Sequence, residues 1–169
     1  MLTTSTKDTA ELELSLKNTE PLLGPPLKFN IYINDLLIDT GELVEDYLLS
    51  KKIPVRYGDN FVIIEHPQRH DENTQLDTAG NLIKTSMIEV VGLWINKIKF
   101  RCDQWNERNT FELKYDDSYL DWARKHRPNT NFPDEKTPDK YIGNTGKAKV
   151  FFMWPLHVHG LYYRLYHGG

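Results

Sequence analysis

Two histidines, His157 and His159, stand one residue apart near the end of the 169-residue chain, and in a strand that spacing puts both imidazoles on one side, as transition-metal sites use. A second pair, His66 and His70, flanks a polar loop. A metal centre of the jelly-roll oxygenase type is one reading. No carboxylate follows His159 within G-L-Y-Y-R-L-Y-H-G-G, so histidines on an aromatic surface strand are the plainer one. The run Asp71-Glu72-Asn73-Thr74-Gln75-Leu76-Asp77 offers several oxygen ligands in a short span, as a hard cation requires. It is not an EF-hand, because Leu76 stands where the turn glycine belongs and Leu82 where the bidentate glutamate belongs. Calcium held by Asp71, Asn73 and Asp77 in another loop geometry is one expectation, and a solvated acidic loop is the other.

Covalent chemistry has little support. Cys102 lies between Arg101 and Asp103 with no elbow or glycine-rich motif around it, which fits a buried structural thiol. Nucleophile-elbow, phosphate-loop and dinucleotide fingerprints are absent, and the adjacent Asp116-Asp117 says nothing about a catalytic pair. The expectation is a protein that is not an enzyme.

The aromatic residues are unevenly placed. The chain has 4 Trp, 9 Tyr and 7 Phe, and fifteen of these twenty lie from Trp94 onward. In Phe151-Phe152-Met153-Trp154 successive side chains point to opposite faces, so both faces of that strand are large and apolar. Such a strand lies between two layers or packs one face on another chain. Aromatic enrichment suits a protein interface, a sugar-stacking platform or an aromatic-rich core equally well. The candidate interface residues are Phe151, Phe152, Trp154, Tyr162 and Tyr166.

These residues need elements to hold them. Glu11 to Lys17 alternates Leu12, Leu14 and Leu16 with polar residues, the pattern of a half-buried strand. Phe29, Ile31 and Ile33 repeat it, and Asn34-Asp35 is turn chemistry leading into a further strand. Val44 to Leu49 reads as strand or helix. Phe61 to Glu65 is apolar on both faces, His66 to Asn81 is a long polar loop, and Met87 to Phe100 holds two strand-like runs around a bulge at Gly92. Thr110 to Tyr115 alternates again, and Tyr119 to Lys125 is the one convincing helix, with Arg124, Lys125 and His126 at its negative pole before Pro128. Lys147 to Trp154 and Val158 to Tyr166 read as closing strands. The sum is an all-β chain, a single antiparallel β-sandwich or jelly roll with one short helix. Met1 to Ala10 is read as a flexible segment, residues 11–169 as the domain, and 127–146 as a long polar contact loop within it.

Composition narrows the partners. With 21 basic against 24 acidic residues, a net charge of −3 and no long run of either sign, the electrostatic footprint of nucleic-acid binding is missing. No apolar run approaches the roughly 20 residues needed to span a bilayer, so membrane insertion is not expected. A single cysteine allows no internal disulfide.

Two stretches carry a resemblance. P-L-K-F-N-I-Y-I-N-D-L-L-I, followed by F-V-I-I-E-H-P-Q-R-H-D-E-N-T-Q-L-D-T-A-G-N-L-I-K-T-S-M-I-E-V-V-G-L-W-I, resembles the small jelly-roll sandwiches of calcium-dependent xylan-binding carbohydrate modules and their relatives among tailed-phage virion proteins. Y-I-G-N-T-G-K-A-K-V-F-F-M-W-P-L looks like the closing segment of those phage relatives. Asn96-Lys97 stands where the pattern carries Asp-Gly. The resemblance implies calcium at Asp71, Asn73 and Asp77. With no export signal in Met1 to Ala10, it implies a non-enzymatic structural component of a tailed-phage tail, baseplate or neck, assembled in the host cytoplasm in many copies against other virion proteins. The alternative it implies is a calcium-dependent carbohydrate-binding module used in adsorption to host glycans.

Overall fold

The computed structural model describes residues 8–100, 111–126 and 141–156, apart from the side chains of 111, 112, 122 and 126. Strand β1 (Thr9–Asn18) buries Ala10, Leu12, Leu14 and Leu16 and turns the intervening residues outward. It starts at Thr9, so the last two residues of the Met1 to Ala10 segment belong to the sheet. β2 (Leu27–Ile33) repeats the alternation with Leu27, Phe29, Ile31 and Ile33 inside, and Asn34 turns the chain at φ 53° into β3 (Leu36–Leu43). β4 (Asp46–Pro54) makes strand of the ambiguous Val44 to Leu49 stretch from Asp46 onward. β5 (Gly58–His66) follows, with Val62 and Ile64 in the core.

The polar stretch after it is not a plain loop. A 3-10 turn (Asp71–Asn73) leads into a hairpin of β6 (Thr74–Leu76) and β7 (Leu82–Thr85). β8 (Ile88–Ile95) runs through Gly92 with a register shift opposite Ser15 and Leu16, the bulge that a glycine there implies. The chain reverses later, at Asn96-Lys97, into β9 (Ile98–Phe100). Both turn residues have positive φ, 47° and 67°, the backbone of a two-residue hairpin turn that Asp-Gly or Asn-Gly would favour. β10 (Phe111–Tyr115) precedes helix α1 (Asp117–His126), which buries Leu120 and Ala123. β11 (Tyr141–Ile142) pairs with β8, so sheet structure resumes inside the stretch read as the 127–146 loop. The earlier part of that stretch, 127–140, lies outside the described residues. β12 (Gly146–Trp154) closes the described chain's strands.

The strands form two five-stranded sheets and the small hairpin. In the first sheet the order is β11-β8-β1-β4, with β9 also on β8, and in the second it is β10-β12-β5-β2-β3. All described pairings are antiparallel. Inward residues of both sheets make one continuous core, including Leu14, Leu16, Ile31, Ile64, Val90, Ile95, Val150 and Phe152. This is a β-sandwich with one short helix. Truncating a fully buried member such as Leu14 to alanine costs about 2–5 kcal/mol, a large share of the stability of any such domain.

Candidate functional site

Sheet pairing decides which side chains share the outer face of the second sheet. The register sets Thr40 beside Asn30, Asn30 beside Glu65, and Glu65 beside Lys147, a polar row across β3, β2, β5 and β12. Lys114 on β10 stands next to Lys147 and prolongs it. Two residues along each strand, the next row reads Leu37, Tyr32, Ile63 and Lys149. Beyond it Phe61 faces Phe151, and then Asp59 faces Met153. The face therefore grades from polar to aromatic over three rows, roughly 7 Å per step along the strands.

The polar row is connected. Thr40 Oγ1 donates to Asn30 Oδ1 at 2.6 Å, Asn30 Nδ2 donates to Glu65 Oε1 at 2.8 Å, and the Tyr32 hydroxyl donates to the same oxygen at 3.3 Å. Lys147 Nζ lies 3.4 Å from Glu65 Oε2. The aromatic row is packed as well: the Phe61 and Phe151 centroids are 5.4 Å apart with planes tilted by 53°, and the Lys149 ammonium sits 4.7 Å from the Phe61 centroid. Phe61, Ile63, Tyr32, Lys149 and Phe151 are all half-buried, so each keeps part of its surface for a ligand.

The outer face of the first sheet is arranged otherwise. Trp94 stands between Glu13 on β1 and Lys99 on β9. A Cβ at Gly92 would fall 2.3 Å from the Trp94 ring, so the glycine exists there because the indole lies over it. Lys99 Nζ is 5.6 Å from that ring, and Lys97 Nζ contacts Glu13 Oε1 at 2.6 Å. The Lys97 pKa is raised, first by its hydrogen bond to Glu13 and then by that carboxylate's charge.

Of the described aromatics singled out in the sequence, Phe151 lies on the outer face of the second sheet. Phe152 is corrected: it points inward, 2% exposed, and packs edge-on against Phe100 at 6.2 Å. Trp154 also turns toward the core, and its Nε1 donates to Asp8 Oδ2 at 3.2 Å. Tyr162 and Tyr166 lie outside the described residues, as do His157, His159 and Cys102. The residues missed were Tyr32, Phe61, Lys149, Asn30 and Glu65. Their alternation was legible, but only the strand order shows that they are neighbours.

The structure places Asp71 and Asn73 in the 3-10 turn and Asp77 at the tip of the β6–β7 hairpin. Asn73 is buried, its amide nitrogen donating to the Leu23 and Pro25 carbonyls at 3.1 and 2.8 Å while its oxygen accepts from the His70 N–H at 3.2 Å. Asp77 Oδ1 accepts from the N–H groups of Ala79 and Asn81, and its Oδ2 accepts from the Asn81 side chain, which together hold the hairpin tip and lower its pKa. The Asn73 and Asp77 oxygens that would face a cation thus accept hydrogen bonds from the protein. No three His, Cys, Asp or Glu residues converge into a metal site among the described residues.

What does converge there is structural. Arg69 donates to the Ser86 carbonyl at 2.7 Å, the Asn73 carbonyl at 3.1 Å and the Thr74 hydroxyl at 2.7 Å, and also to the Thr85 hydroxyl. Its pKa is lowered by burial. Beside it His66 is fully buried, and neither ring nitrogen closes a well-aligned hydrogen bond. Burial first, then the Arg69 charge, push its pKa down to about 4, against weaker upward pulls from the backbone of Gln68 and Asn144.

No protein-family model matches the chain, and no curated protein does. Two solved structures are similar to it. One is vCBM60 in complex with galactobiose, at 8% identity and a TM-score of 0.45, covering 85% of this chain and 97% of that one. The other is a selenomethionine form of vCBM60, described with a circular permutation linking two families of calcium-dependent carbohydrate binding modules. It has 9% identity and a TM-score of 0.44, and covers 83% of this chain and 89% of that one. Neither is described as a virion protein.

Proposed function

We propose that the protein is a non-catalytic carbohydrate-binding module whose recognition surface is the outer face of the second sheet. The observation that carries this reading is the placement of a hydrogen-bonded polar row, Thr40, Asn30, Glu65 and Lys147, alongside exposed parts of Tyr32, Phe61 and Phe151. A pyranose has one apolar C–H face and a rim of hydroxyls, so it needs a flat apolar surface and a set of mixed donors and acceptors within a few ångströms of each other. Asn30 supplies both a donor and an acceptor and Glu65 an acceptor, already oriented by their neighbours, which lowers the entropy lost on binding. Recognition in this reading runs through the sheet face and is not routed through calcium at Asp71, Asn73 and Asp77, where Asn73 and Asp77 carry protein hydrogen bonds. Calorimetry against a panel of oligosaccharides tests it. Phe151→Ala and Asn30→Ala should each weaken binding by tenfold or more while leaving the melting temperature within a few degrees. Saccharide binding that neither variant changes would overturn the assignment of the face.

A second reading, a structural subunit of a tailed-phage particle, is favoured by the β6–β7 arm, where Leu76, Leu82 and Ile83 are about half exposed and nearby Leu22 almost fully so. Crosslinking in an intact particle tests it: crosslinks from Lys84 on the arm to another virion protein would support it, and crosslinks confined to the chain itself would count against it.

A further inference from the structure

Resting on the carbohydrate-binding reading, we infer that the preferred saccharide is anionic, and that Lys149 reads its charge. The chain as a whole is acidic, at −3, yet its β10–β12 edge brings Lys114, Lys147 and Lys149 onto one face. In the two nearest rows the acidic residues are Glu65, already met by Lys147, Asn30 and Tyr32, and Glu112, which stands opposite Lys149 in the register. Lys149 has no carboxylate partner among the described residues. Its ammonium is instead held over the Phe61 ring at 4.7 Å, at the boundary between the polar and the aromatic rows.

That position has a chemical meaning. A sugar stacked on Phe151 and the open part of Phe61 directs its ring substituents sideways, toward the second row, where Lys149 is the cation within reach. A carboxylate on the pyranose, as in a uronic acid, or a sulfate ester would meet the ammonium there and keep its apolar face on the rings. A lysine recognises negative charge as a point rather than by planar geometry, so carboxylate and sulfate share the chemistry at this position.

The test is calorimetry on the full chain at low salt with three probes: an oligogalacturonate, a sulfated galactan oligosaccharide and a neutral galactan oligosaccharide. At least one anionic probe should bind tenfold or more tightly than the neutral one, and the relative affinity of the two anionic probes identifies the group. In Lys149→Met, or in about 0.5 M salt, where charges are screened beyond a few ångströms, the anionic probe should fall to the neutral level. Lys149→Arg should restore the preference. Phe151→Ala should instead weaken all probes alike. Equal affinity for neutral and anionic probes, or a preference unchanged in Lys149→Met, would overturn the inference while leaving the binding face intact. Binding of no probe, or binding indifferent to Phe151→Ala, would overturn the underlying reading as well.

Discussion

The two outer faces of the sandwich are built from similar residues and use them differently. On the first sheet the large aromatic, Trp94, is laid over Gly92, Lys99 caps the ring, and Lys97 and Glu13 satisfy each other. On the second, Phe61 and Phe151 lie beside one another, the polar groups form a row rather than isolated pairs, and the Lys149 ammonium sits over the Phe61 ring. The first arrangement spends its side chains on covering and closing the sheet. The second leaves an amphipathic surface with both components in place, which is why we assign recognition to it.

The largest effect that separates the faces comes from beneath the second one. His66 ends β5, one residue past Glu65, and its pKa is held near 4 in the folded protein, against about 6.5 in an unfolded chain. The unfolded state therefore takes up the proton first as pH falls, so the stability that His66 confers is complete above pH 6.5 and is lost on the way down to pH 4. The loss amounts to about 3 kcal/mol. Denaturant melts across that window should show the slope, and His66→Leu should flatten it; an unchanged slope in the variant would place the acid sensitivity elsewhere.

A smaller effect is expected on the first face. Gly92→Val must push Trp94 off the strand, at a cost of about 2 kcal/mol and a fall of roughly 5 °C in melting temperature, with saccharide affinity unchanged. Smaller again is Lys97→Gly, which relieves a left-handed non-glycine turn residue and should raise the melting temperature by about 1 °C despite losing the exposed contact with Glu13. Smallest of all, millimolar calcium should leave both the melting temperature and saccharide binding as they are, because Asn73 and Asp77 are committed to protein hydrogen bonds; a calcium-dependent gain in either would show that the loop rearranges around the ion.

Much of the scaffold was readable because it rests on local signals. Leu12, Leu14 and Leu16 announced an inward strand face, Asn34-Asp35 a turn, Gly92 a bulge and Tyr119 to Lys125 a helix, and each is found where its pattern placed it. The β6–β7 hairpin was hidden because its strands are polar or exposed, and what holds it is long-range: Asn73 to Leu23 and Pro25, Ser86 to Asn18, and Arg69 to Ser86. The strand Phe151 to Trp154 is large and apolar on both faces, a pattern that suits a place between two layers or one face packed on another chain. Alternation alone could not reveal that Phe152 meets Phe100 across the core, whereas Phe151 meets Phe61 on the surface. The proposed binding face is not legible for the same reason, since Tyr32, Phe61 and Lys149 become neighbours only through the order β12-β5-β2.

The account turns on which face carries the ligand, and one paired measurement addresses it directly: calorimetric titration of Phe151→Ala and Trp94→Ala with the same saccharide. We expect Phe151→Ala to lose at least tenfold in affinity with its stability nearly intact, and Trp94→Ala to lose stability with its affinity intact. The opposite pattern, binding lost with Trp94 and retained without Phe151, would contradict it.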